Sequence, residues 1–91
     1  MRIVIGEDAV LSRVGLIQVL DEATEDVVAA VGDATALVEA VEVHRPDVAI
    51  VDVRMPPDMT DDGLRAAIEI RRRWPEMAIL VFSQYAVQAC H

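Results

Sequence analysis

Four short runs of apolar, mostly β-branched residues recur along the chain: Ile3-Val4-Ile5, Val27–Val31, Val48–Val51 and Ala78–Phe82. Each lacks the in–out alternation of a strand with one wet face, so each reads as a strand buried on both sides. The stretches between them have helical spacing. From Ala9 to about Glu22, Val10, Val14 and Ile17 recur on one stripe, with Leu16 and Leu20 beside them and Asp8 placed as N-cap. Asp33 is placed to cap a second helix ending at His44, with Leu37, Val38 and Val41 on one face and Arg45-Pro46 as its stop. Val53-Arg54-Met55-Pro56-Pro57 must be loop, because consecutive prolines have no ladder N–H to give. Asp61 or Asp62 can cap a third helix, Gly63 to Trp74, in which Leu64, Ala67, Ile68 and Arg71 follow the i, i+3, i+4, i+7 rule. Ala86 to His91 fits the first turn of a further helix. The order βαβαβαβ predicts an α/β fold, a doubly wound parallel sheet with right-handed crossovers and helices on both faces.

Composition narrows the classes. Ninety-one residues suit one small domain, and a chain of this size buries roughly 60–65% of its unfolded surface. With 54% hydrophobic but only 3% aromatic residues, the core must be Val, Ala, Ile and Leu, and disorder is disfavoured. A net charge of −8, with eight arginines and no lysine, argues against direct nucleic-acid binding. No apolar run nears the roughly 20 residues that span a bilayer. The start, Met1 to Asp8, meets two acids where a signal peptide would still be apolar. Cys90 alone cannot staple the chain, so a reduced, cytoplasmic setting is expected.

In doubly wound sheets, ligands bind beyond the carboxyl ends of the strands where strand order reverses. The residues there are Glu7-Asp8, Gly32-Asp33, Asp52 and Ser83. If the first and third strands are neighbours, Glu7, Asp8 and Asp52 converge. Two like charges about 4 Å apart repel by about 4 kcal/mol at an effective dielectric near 20, which calls for a cation or a retained proton. Taken singly, Asp8 reads as a helix cap and Glu7 as a solvated residue; Asp52 at the matching position favours the cluster. All-oxygen ligands suit a hard ion such as Mg²⁺. Asp52, followed by a stiff loop, is placed to act as a nucleophile toward phosphorus, and Ser83 to donate its hydroxyl to a phosphoryl oxygen. Dinucleotide, P-loop and zinc motifs are absent. His44 reads as a helix-dipole partner, Arg71-Arg72-Arg73 as a solvated helix end, and Trp74 as a packing lid.

Glu7-Asp8, Asp52-x-x-Met55-Pro56 and Ser83, each after its strand, together resemble the receiver domain of bacterial two-component response regulators, particularly the LuxR/NarL type. The resemblance implies a flavodoxin-like (CheY-like) fold with strand order 2-1-3-4-5. It implies Asp52 as phosphoacceptor, and Mg²⁺ held by Asp8, by Asp52, by the Arg54 backbone carbonyl and, through water, by Glu7. It further implies Ser83 as the switch hydroxyl and the Gln84 N–H as a phosphoryl contact. Arg54 and Tyr85 would tune loss of the phosphate. The implied partner is a sensor histidine kinase, with output through a separate C-terminal DNA-binding domain. Two departures stand out: the acidic loop Pro57–Asp62 is long for the family, and no lysine exists to pair with the phosphoryl group. Residues 1–91 are then expected to be a receiver stopped after its fourth strand, without the fourth helix, fifth strand and fifth helix. Its open sheet edge would favour a homodimer or domain swap. Such a domain is no conventional enzyme, catalysing at most its own aspartyl phosphorylation and dephosphorylation. The alternative expectation is a non-phosphorylated interaction module. A haloacid-type phosphatase is more distant, because Arg54 stands where its second aspartate would be.

Overall fold

A computed structural model describes residues 1–56 and 60–83. The elements are β1 (Arg2–Gly6), α1 (Val10–Glu22), β2 (Asp26–Val31), α2 (Ala34–His44), β3 (Val48–Asp52), α3 (Asp62–Arg73) and β4 (Ala78–Phe82). The four strands form one sheet in the order β2-β1-β3-β4, and every neighbouring pair is parallel. This is the flavodoxin-like arrangement expected. Strand order reverses between β1 and β3, so their carboxyl ends border the crevice. The proposed helix after Ala86 lies outside the described residues, as do Pro57, Asp58 and Met59 of the acidic loop.

Successive strand residues point to opposite faces, which divides the core in two. Val4, Ala49 and Val51 pack with Leu37 and Val41 of α2, Ala66 and Ile70 of α3, and Met55 of the following loop. Ile3, Ile5 and Ile50 face the other way, against Leu16, Ile17 and Leu20 of α1 and Phe82 of β4. The apolar-run reading therefore holds for β1 and β3, which are central and covered on both sides; the edge strands depart from it, β2 being at most half-buried and β4 leaving Leu80 and Val81 exposed.

Two helix faces differ from the periodicity reading. Val10 and Val14 of α1 are 61% and 53% exposed, and the residues that pack are Leu16, Ile17 and Leu20. The helix is apolar on more than one side, so spacing identifies it without selecting its buried face. In α3, Leu64 and Ile68 are exposed, whereas Gly63, Ala66, Ala67 and Ile70 are buried. Here α3 lies so close to β3 that small residues must form the contact, and the large ones are left on the flank. With Arg71, Ile79 and Val81, Ile68 lines an open groove beside β4.

Capping also differs in part. Ala9 is the N-cap of α1 and no side chain caps it. Asp8 therefore leaves its expected capping role. Asp61 stands at the N-cap of α3, but its carboxylate binds Arg65 at 2.8 Å. Asp62 is buried in the first turn and accepts a bond from the Thr60 N–H at 3.4 Å. Asp33 behaves as expected, accepting from the Ala36 N–H at 2.8 Å. Asp33→Ala should lower stability by about 1 kcal/mol, a fall of roughly 4–8 °C in melting temperature; thermal denaturation by circular dichroism measures it.

The far end of the sheet is structural. Trp74 packs on the core and lies 4.9 Å and 4.5 Å from the Arg45 and Arg73 guanidinium groups. Arg72 and Arg73 pair with Glu69 and Glu42, and Arg71 donates to the Pro75 carbonyl. The lid and helix-end readings hold. His44 ends α2, where its charge would suit the dipole.

Candidate phosphoacceptor and metal site

The crevice at the β1/β3 carboxyl ends is built by close backbone approach. A Cβ on Gly6 would sit 3.1 Å from Leu37 and 3.2 Å from Met55, so glycine gives these two side chains room to close tightly over the end of β1. The β1 ladder extends one residue further, the Glu7 N–H donating to the Val31 carbonyl at 2.9 Å. That bond draws Glu7 inward, and it is 0% exposed. On the other side of the crevice, Gly63 N–H donates to the Val53 carbonyl at 2.8 Å, pinning α3 to the end of β3. Asp52, the last residue of β3, is 5% exposed.

Glu7, Asp8 and Asp52 each present a carboxylate oxygen, and these oxygens lie within 4.8 Å of one another. The convergence expected from strand order is therefore present, and the solvated reading of Glu7 is overturned. Glu7 Oε1 accepts from the Ala9 N–H at 3.0 Å. Its Oε2 is buried with no hydrogen-bond partner. The nearest polar groups are carboxylates, acceptors like itself, so contact becomes bonding only when one holds a proton. Burial above all pushes the Glu7 carboxyl up from 4.5 to about 7; the Ala9 N–H opposes this, while the Asp52 charge and shared hydrogen bonds with Asp52 and Asp8 reinforce it. An orphaned, buried carboxylate oxygen among two further carboxylates fits a hard divalent cation, which would take up the negative charge and give Oε2 a partner.

Of the remaining predicted residues, Arg54 and Ser83 are among those described. Arg54 is exposed in the loop two positions beyond Asp52. Asp52 is in register with Phe82, so the half-buried Ser83 follows directly on the neighbouring strand. Gln84 and Tyr85 lie outside the described residues.

Sequence reasoning missed two features. The first is Gly63: a Cβ there would overlap the Asp52 carbonyl oxygen and stand 2.8 Å from the Val53 oxygen. The second is Arg13, whose guanidinium donates to the Glu7 carbonyl oxygen at 3.0 Å. Its signal was available, since Arg13 is the lone charged residue between Ala9 and Leu20.

Residues 3–90 match the response regulator receiver domain, and the chain belongs to that family. Over 85 residues it is 40% identical to the transcriptional regulatory protein PdtaR of Mycobacterium tuberculosis, covering 91% of this chain and 40% of that protein. Over 86 residues it is 36% identical to the oxygen regulatory protein NreC of Staphylococcus haemolyticus, covering 93% and 39%. Among solved structures, the signal receiver domain of the putative response regulator NarL from Mycobacterium tuberculosis superposes with a TM-score of 0.80 at 34% identity, over 90% of this chain and 64% of that one. The isolated REC domain of RcsB from Salmonella enterica serovar Typhimurium, solved in the presence of phosphomimetic BeF3−, gives 0.81 at 27% identity, over 98% and 67%. The chain spans about 40% of the length of these curated relatives. Among the described residues, no helix is long and apolar enough to cross a membrane.

Proposed function

We propose that this receiver domain accepts a phosphoryl group on Asp52 from a sensor histidine kinase, with Mg²⁺ bound by Asp8, Asp52, the Arg54 carbonyl and, through water, Glu7. The observation that carries the reading is the orphaned Glu7 Oε2 beside Asp8 and Asp52 at the sheet's reversal point. A bound Mg²⁺ supplies charge neutralisation for the three carboxylates and the incoming phosphoryl oxygens. Asp52 contributes the nucleophile: a carboxylate oxygen bonds to phosphorus, the phosphorus–nitrogen bond of the phosphohistidine breaks, and the imidazole leaves with that electron pair. The β3 ladder and the Gly63–Val53 bond fix the carboxylate for in-line approach. The Ser83 hydroxyl and Gln84 N–H donate to phosphoryl oxygens, while Arg54 and Tyr85 control access of water to the acyl phosphate.

The likeness to a transcriptional regulatory protein, an oxygen regulatory protein and the NarL receiver domain supports a LuxR/NarL-type regulator whose output is transcription. The exposed apolar residues Val10, Leu11 and Val14 of α1, beginning two residues after Asp8, offer a docking surface for the kinase. Leu11 is 87% exposed, so Leu11→Arg should leave the fold intact. It should slow phosphotransfer from a phosphorylated sensor kinase about tenfold, the loss of one apolar anchor. Phosphorylation by acetyl phosphate should be unchanged, and the two rates measured side by side separate docking from chemistry.

A second reading, an unphosphorylated dimerisation module, draws on β4, where Leu80 is 58% and Val81 38% exposed. Intact-mass measurement after acetyl phosphate and Mg²⁺ decides between them. A single phosphoryl adduct absent from Asp52→Asn supports the receiver reading; no adduct on the wild type supports the module.

A further inference from the structure

We propose that Arg13 is a positioning residue for the divalent-cation site and that Gly32 is the seat that lets it act; this rests on the metal-binding reading above. Glu7 and Asp8 occupy the β1–α1 turn, which has no side-chain cap at the start of α1. From the first turn of that helix Arg13 reaches back, and its Nη1 donates to the Glu7 carbonyl oxygen at 3.0 Å. The same nitrogen lies 2.8 Å from where a Gly32 Cβ would be, and the Asp8 Cα lies 3.7 Å from that point. The guanidinium thus fills the space left by a missing side chain at the end of β2, directly under the turn that carries two of the three carboxylates.

The clamp touches the backbone of Glu7 and not its carboxylate. Arg13 therefore leaves the acidic oxygens available to a cation while restricting the turn that aims them. Residues that orient metal ligands without touching the metal typically change affinity 10- to 100-fold when removed. Acting through a main-chain carbonyl, Arg13 belongs at the lower end, about tenfold.

Gly32 supplies an independent way to displace the clamp. No glycine in the described residues has a positive φ, so alanine at position 32 carries no backbone penalty. The atom its methyl would strike is the far end of a flexible side chain. Gly32→Ala should accordingly expel the guanidinium while the sheet stays intact.

The test is titration of MgCl₂ by isothermal calorimetry at a temperature where every variant is folded, using wild type, Arg13→Met, Gly32→Ala and the double variant. Wild type should bind Mg²⁺. Each single variant should bind about tenfold more weakly, with a melting temperature in EDTA close to wild type for Gly32→Ala. The double variant should be no weaker than either single one, because both remove the same contact. Wild-type binding with unchanged affinity in Gly32→Ala, or losses that multiply in the double variant, overturns the role of Arg13 alone. No Mg²⁺ binding by wild type overturns the metal-site reading and this inference with it.

Discussion

Gly63→Ala should leave the chain largely unfolded at 25 °C. The methyl group would overlap the carbonyl oxygen of Asp52 and press on the Val53 oxygen 2.8 Å away. Both obstacles are backbone atoms in or beside a central strand, so neither can rotate aside. Relief requires α3 to swing away from β3, breaking the 2.8 Å bond from Gly63 N–H to the Val53 carbonyl. The movement also opens the packing of Ala66 and Ile70 on the sheet. Overpacking that cannot relax, combined with a lost buried hydrogen bond, belongs to the rare substitutions costing more than about 4 kcal/mol, comparable with the whole stability of a small domain. Gly15 is the control. It lies inside α1 with nothing within 4 Å of its Cβ position, and Gly15→Ala should stabilise the protein by about 0.8–1 kcal/mol. Urea denaturation of the two variants should therefore move in opposite directions; similar midpoints would contradict the packing account.

The second large effect concerns the acidic cluster. The Glu7 carboxyl titrates near 7 in the fold and at 4.5 ordinarily. Between those values the folded chain holds a proton that the unfolded chain has released, so stability falls as pH rises from about 4.5 to 7 and levels off above. Below 4.5 both states are protonated and the penalty vanishes. In EDTA the melting temperature should drop across this window. Glu7→Gln removes the buried charge and keeps an acceptor for the Ala9 N–H, so its curve should be flatter. At pH 7.5 it should melt above wild type by roughly 4–8 °C, the equivalent of about 1 kcal/mol. Mg²⁺ should raise the wild-type melting temperature progressively with concentration and release a proton near neutral pH. A wild-type curve that rises between pH 5 and 7.5 in EDTA would contradict the buried-cluster geometry.

Legibility from sequence followed burial symmetry. β1 and β3 are covered on both faces, so their uniform apolar runs announced them, and the acids that ended those runs marked the site. Helix faces were harder to read. α3 turns its smallest residues, Gly63, Ala66 and Ala67, to the sheet. Their weak hydropathy hides the contact, while Leu64 and Ile68 imitate a core stripe. α1 carries apolar residues on several sides, leaving its orientation to tertiary packing. Glu7 is buried where a backbone bond to Val31 extends the strand past the point where its apolar run stops. No local pattern encodes that bond. Arg13 was visible as an isolated charge, but its target, a carbonyl six residues earlier, emerges only when α1 folds back over the end of β2.

The central claim is that Glu7, Asp8 and Asp52 form a cation-dependent phosphoacceptor site. Its most direct test is tandem mass spectrometry of the chain treated with acetyl phosphate in MgCl₂ or in EDTA, comparing wild type, Asp8→Asn and Asp52→Asn. The account predicts one phosphoryl group on wild type, located at Asp52, formed in MgCl₂ and not in EDTA, sharply reduced in Asp8→Asn and absent from Asp52→Asn. A phosphoryl group at another residue, equal labelling in EDTA, or no labelling of wild type would contradict it.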